Sequence, residues 1–172
     1  FLITFLNIQN NGTIPDNKIL VLGHLLVQDL MEESQQLNNQ DEVQRARLRA
    51  LTAEIDRRLT PIVKAIVSRG LIPIIIGGGH AGAYPAIRGT AEALAQSIAC
   101  VNCDTHADFR PTEDGRHSGN GFSFAFQEDW LEAYYILGLD RRYNSDTMLY
   151  RMKEWASPQR PEPASLPAAR SV

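Results

Sequence analysis

The sequence predicts an α/β protein built on a mostly parallel, doubly wound sheet. Three observations carry that prediction. Ile72–Ile76 (IPIII) is apolar on both parities, as in a strand covered on both faces. The Ala-rich stretch 81–96 behind it has helical composition, with Pro85 tolerated near its start. A second apolar strand, Ile98–Cys103, then follows, and helix, strand, helix, strand with short turns is the order a parallel sheet needs.

Taken in order, Phe1–Ile8 is too short to assign between strand and core-facing helix. Asn10-Asn11-Gly12 with Pro15-Asp16 marks a turn. Lys18–Leu22 (KILVL) reads as a short buried strand ended by Gly23, with His24 as a loop residue. The polar stretch 28–41 reads as loops. Leu48, Leu51, Ile55, Leu59, Ile62, Ile66 and Val67 then recur at three- and four-residue steps, one apolar face of a helix. Arg45, Arg47, Arg49, Glu54, Arg57 and Arg58 fall largely on its solvated side. Pro61 inside the pattern predicts a kink or two abutting helices, and Gly70 is the stop. After the central strands, Tyr134–Leu139 reads as a third strand and Asp146–Trp155 as a helix. The final stretch, 157–172, holds four prolines and no apolar periodicity, which predicts a disordered tail after a single domain over 1–156.

Composition narrows the function. A chain of 172 residues with 44% hydrophobic and 22% charged residues can bury a core, and its net charge of -3 argues against a nucleic-acid surface. No window approaches eighteen apolar residues, so no membrane span is expected. FLITFLNIQNN lacks the basic n-region and cleavage pattern of a secretory leader. Cys100 and Cys103 lie inside an apolar strand, on opposite faces by parity, and read as two buried thiols of a cytoplasmic protein.

The chemistry concentrates at the strand ends, where open α/β sheets bind ligands. Asp104, His106 and Asp108 are spaced i, i+2, i+4, and on extended backbone all three would project to one side. Two carboxylates and an imidazole make a poor core and a good divalent-cation site, with a donor set suited to Mn, Fe or Zn. His80, after a glycine turn, could add a fourth ligand. A competing enzyme class uses the same stretch. Gly77, Gly79 and Gly82 fit G-x-G-x-x-G, and Asp104 falls where an NAD(P)-binding Rossmann fold places its ribose acid. His80 would crowd a pyrophosphate there. A non-catalytic remnant domain is the third class.

GGGH at 77–80 followed by CDTHADFR at 103–110 resembles the ureohydrolase superfamily of arginases, agmatinases and formimidoylglutamases. GGGH rather than GGDH, and Arg110-Pro111 after the metal motif, lean toward the formimidoylglutamase-like branch. The resemblance implies an arginase-like, three-layer α/β/α sandwich and two Mn2+ ions whose bridging hydroxide attacks a linear amidine or guanidine, such as formimidoylglutamate, agmatine or arginine. By motif, His80 and Asp108 would ligate one ion, His106 the other, and Asp104 would bridge them. His117 becomes the candidate proton shuttle. Arg110, Arg116, Ser118 and Asn120 become candidates for binding a substrate carboxylate, in a family that tends to form homo-oligomers. The family's later strand-end motif with two further Asp ligands has no counterpart after Phe126, and position 1 is not Met. The expectation is a truncated or frame-disrupted copy, incomplete at its C-terminal side, weakly active or inactive.

Overall fold

The computed structural model of the chain describes residues 2–7 and 18–155. The turn expected at 10–16 and the tail expected at 157–172 lie outside the described residues. Leu2–Leu6 forms a short helix, α1, which decides the strand-or-helix ambiguity there. It is followed by α2 (Gln28–Gln35), α3 (Glu42–Val67), α4 (Ala83–Leu94), β1 (Ile98–Cys103), α5 (Gly121–Gln127), β2 (Leu131–Leu137) and α6 (Asp146–Trp155).

β1 and β2 pair in parallel, from Ile98 opposite Leu131 to Cys103 opposite Leu137, with one register irregularity between Ile98 and Ala99. The connection carries α5, as a parallel pair requires a crossover. One sheet face is covered by a core of Tyr84, Ile87, Ala107, Phe109, Phe122, Ala125, Leu131 and Met148. Its aromatic rings stack around Tyr134, with Phe122 at 4.3 Å and Phe109 at 6.2 Å between centroids. The other face is open: Val101, Tyr135 and Leu137 are each more than half exposed. Cys100 points to the covered side, where burial pushes its thiol up, and Cys103 to the open side. The parity argument holds, but only one of the two thiols is sheltered.

Two expected strands are not strands. Lys18–Leu22 and Ile72–Ile76 are irregular, and Leu20, Leu22, Ile72, Ile74 and Ile76 are all exposed. Apolarity signals that a segment is suited to burial, whereas a strand exists only where a neighbour completes its ladder. Among the described residues neither run has one. The fold class, α/β with a parallel sheet, stands on β1 and β2.

The expected loop at 28–41 instead contains α2, whose Leu30 is buried and which is tied to α3 by Arg58–Asp29 and Arg47–Glu33. α3 runs unbroken through Pro61, so the two abutting helices do not occur. It begins at Glu42 because Asp41 caps it, accepting from the Gln44 backbone N–H at 2.8 Å. α3 packs closely on α4 at Gly89, where a methyl would stand 2.6 Å from the Thr60 carbonyl oxygen. Asp56, on the buried side of α3, receives Arg116 from the loop before α5 at 2.7 Å, and both side chains are sequestered from water.

Candidate metal centre

Three elements bring the site together. Gly77 (φ 91°) and Gly78 (φ 74°) occupy the left-handed region that favours glycine, and reverse the chain into a 3-10 turn, His80–Gly82, at the foot of α4. The His80 ring sits edge-on to Phe122 at 5.4 Å. Asp104 follows β1 directly, its backbone N–H donating to the Leu137 carbonyl at 3.1 Å, so β2 fixes where it stands.

From there the chain bends. The Asp104 carboxylate accepts the His106 backbone N–H at 2.9 Å, and Asp108 takes a left-handed conformation with φ 45°. Between them Ala107 is fully buried. Its N–H donates to Asn144 Oδ1 at 2.8 Å and its carbonyl accepts the Tyr134 hydroxyl at 2.9 Å. Asn144 in turn donates to the Thr105 and Asp140 carbonyls at 2.8 and 2.7 Å. A buried amide with every partner supplied defines this loop more tightly than a surface turn would. The extended backbone assumed for residues 104–108 therefore ends at Cys103.

The result is a convergent trio. His80 Nδ1 lies 2.6 Å from Asp108 Oδ2 and 3.3 Å from Asp104 Oδ2, and one ligand atom from each residue falls within 4.8 Å of the others. This is the sole such group among the described residues. His106 stands to one side, about half exposed and edge-on to Tyr143, with Nδ1 3.2 Å from Asp104 Oδ1. Asp104 thus turns one oxygen to each imidazole. The His106 backbone N–H, and after it the His106 ring and the charge of His80, hold its carboxyl below the usual range, so it is ionised at neutral pH.

The loop before α5 carries the remaining candidates. Arg116 uses all five guanidinium donors inside the fold: two on Asp56, and one each on the carbonyls of His117 and Ala81 and on Asn120 Oδ1. It lies 4.9 Å from the Tyr84 ring centre. Asn120 is fully buried and donates to the Pro111 and Gly115 carbonyls. Their polar atoms are engaged, which leaves Arg110 and Ser118 as the exposed members. His117 Nδ1 accepts the Gly119 backbone N–H at 3.1 Å. Burial, aided by Arg49, Arg110 and Arg116, pushes its pKa down to about 4.

Asn144, Tyr134 and Asp56 shape the centre and have no recognisable signal in the sequence, because each acts across 27 to 60 residues of chain. The dinucleotide reading is disfavoured. A Rossmann turn needs a strand before its glycines, and Ile72–Ile76 is irregular. His80 and Asp104, which it would leave to pyrophosphate and ribose, face each other instead.

A family model described as the arginase family matches residues 14–157. Formimidoylglutamase of Geobacillus kaustophilus is 37% identical over 100 residues, covering 53% of this chain and 31% of that protein. Formimidoylglutamase of Streptococcus pyogenes is 32% identical over 99 residues, covering 54% and 30%. Among solved structures, a variant of Trypanosoma cruzi formiminoglutamase with Mn2+ superposes with a TM-score of 0.55 at 26% identity, over 60% of this chain and 36% of that one. The chain spans about a third of the length of these relatives.

Proposed function

We propose that this chain, which belongs to the arginase family, carries part of a dimanganese centre for hydrolysing a C–N bond of a linear amidine or guanidine, of the formimidoylglutamate, agmatine or arginine class. One observation carries the reading: Asp104 offers separate oxygens to His80 and His106, while Asp108 shares His80. A carboxylate so placed can bridge two cations, with His80 and Asp108 on the first and His106 on the second. Imidazole nitrogen with hard carboxylate oxygens suits Mn2+, the ion present with the Trypanosoma cruzi formiminoglutamase variant. A divalent ion held by these residues would lower the pKa of a bound water and so supply a nucleophile near neutral pH.

The chain's own groups set the rest. The buried Ala107, gripped by Asn144 and Tyr134, keeps Asp104 and Asp108 turned toward His80. His117 is neutral at pH 7, and because Nδ1 accepts from Gly119 its proton sits on Nε2. Its Nε2–H can donate a hydrogen bond to the leaving amine; transferring that proton requires Nδ1 to release Gly119 and take up another, since imidazolate would otherwise be left. Arg110 and Ser118 stand exposed for an acidic end of the substrate. With four ligands among the described residues, the chain alone binds Mn2+ weakly and turns over little or nothing.

Mn2+ titration followed by electron paramagnetic resonance tests the centre. Saturable binding by the chain, lost in Asp104→Asn and Asp108→Asn, is expected. Equal binding by chain and variants, or thermal stabilisation by NAD and not by Mn2+, would overturn the reading. Formamide or urea release at saturating Mn2+ should be marginal, and robust turnover would refute the low-activity part.

A further inference from the structure

The His80 imidazole is loosely anchored for a member of the convergent trio. Both of its carboxylate partners meet the same nitrogen, Nδ1, which lies 2.6 Å from Asp108 and 3.3 Å from Asp104. No group among the described residues bonds its Nε2. A histidine that ligates a metal ordinarily donates its other ring N–H to a carboxylate or carbonyl, and that bond sets the plane of the ring. The turn that carries His80 does not supply the constraint either. A methyl on Gly77, Gly78, Gly79 or Gly82 would meet nothing within 4 Å. Arg116 ties the backbone at the Ala81 carbonyl, which places the residue and leaves the rotation of its ring unset.

What stands against the ring is Phe122. The two rings meet edge-on, with 5.4 Å between centroids and 87° between planes. Phe122 is 2% exposed and is held from behind. It stacks on Tyr134 at 4.3 Å and 24°. The helix that carries it, α5, seats on the foot of α4 at Gly121, where a methyl would stand 3.4 Å from the Tyr84 backbone nitrogen. Tyr134 is fixed at its far end, its hydroxyl donating to the Ala107 carbonyl at 2.9 Å and accepting the Asn102 side-chain amide at 3.0 Å. One pair of stacked rings therefore runs from His80 to Ala107, the buried residue of the loop that presents Asp104 and Asp108.

We propose that Phe122 is a positioning residue for the centre: it sets the plane of the His80 imidazole, and its stack on Tyr134 ties that plane to the Asp104–Asp108 loop. A side chain with no polar atom then does for His80 what a hydrogen bond does for most ligating histidines. An edge-on aromatic pair is worth enough that losing the ring should weaken ion binding roughly three- to tenfold. The metal half of this statement rests on the hydrolase reading, whereas the ring contact does not.

The test uses the full chain and two variants that lack the ring, Phe122→Leu and Phe122→Met. Methionine is flexible and comes close to the lost volume, so a misfolded leucine variant does not end the experiment. Without metal, carbon–proton correlation spectra of the imidazoles are assigned with His80→Asn. The His80 ring resonances should shift and broaden in Phe122→Met while those of His106 stay in place; unmoved His80 resonances would overturn the proposal. With Mn2+, calorimetry should show the three- to tenfold loss in Phe122→Met. Leu131→Val, a change in the same core at the opposite end of β2, should lower the urea midpoint and leave Mn2+ affinity unchanged. An equal affinity loss there would mean a loosened core in place of a positioned ring, and would also overturn the proposal. Shifted His80 resonances without any Mn2+ binding by the unaltered chain keep the ring contact and remove the hydrolase reading. Mn2+ binding that Phe122→Met leaves untouched keeps that reading and removes the proposal.

Discussion

Replacing Asp56 with alanine tests whether α3 and the α5 loop are locked by charge. The two side chains are 7% and 5% exposed. Burial pushes the Asp56 carboxyl up even against the pull of Arg116, so desolvation outweighs attraction and the pair contributes little net stability over an apolar one. Breaking it is a different matter. Alanine strands a guanidinium that cannot lose its proton, and it removes the two bonds at 2.7 and 3.2 Å. The expected cost is about 3–5 kcal/mol, a large share of the roughly 5–15 kcal/mol typical of a domain. With a urea slope of about 2 kcal/mol per molar, the midpoint should fall by about 2 M. Arg57→Ala, which removes a largely exposed partner of Glu54 on the same helix, is the control and should leave the midpoint nearly unchanged. Because Arg116 also holds the Ala81 carbonyl beside His80, Mn2+ affinity should drop with stability in Asp56→Ala. A loss below about 1 kcal/mol, the range of exposed pairs, would refute the claim that this pair is cut off from water.

Asn144→Ala removes the acceptor of the Ala107 N–H and the donor to two carbonyls. It should cost about 1–3 kcal/mol in denaturant unfolding and weaken Mn2+ binding roughly 10–100-fold. A stability loss with unchanged metal affinity would show that the loop is not what aims Asp104 and Asp108. His117 has a folded-state pKa of about 4 against an ordinary 6.5, so between those values the unfolded chain binds the extra proton. Its contribution should be complete above pH 6.5 and fade as the pH falls toward 4; His117→Gln should flatten that part of the stability profile, and an unaltered profile would count against it. The open sheet face of Val101, Tyr135 and Leu137 should drive self-association, visible by light scattering and reduced in Val101→Lys. A monodisperse monomer of the unaltered chain would contradict this.

Much of the fold is legible in the sequence because its signals are local. β1 is readable from its apolar run and α6 from its periodicity, and Asp41 with Gln44 carries a capping signal for α3 that lies outside the apolar face. Lys18–Leu22 and Ile72–Ile76 mislead for the complementary reason: β-branched composition speaks of suitability for a sheet, while pairing is a property of two segments. α2 escapes a reading of the sequence because its hold on α3 runs through Arg47 and Arg58, which a one-dimensional reading assigns to solvent.

The sequence by itself determined the chemical inventory: the candidate-ligand side chains at 80, 104, 106 and 108, the glycines that let the chain reverse before His80, and the likeness to one family. Only the tertiary structure decided how that inventory is used. It turned His106 aside from the other three, because the strand stops at Cys103 and an aspartate oxygen bends the backbone. It enclosed Arg116 and Asn120 and set the Phe122 ring against His80, because burial and pairing depend on distant neighbours whose approach no spacing along the chain encodes.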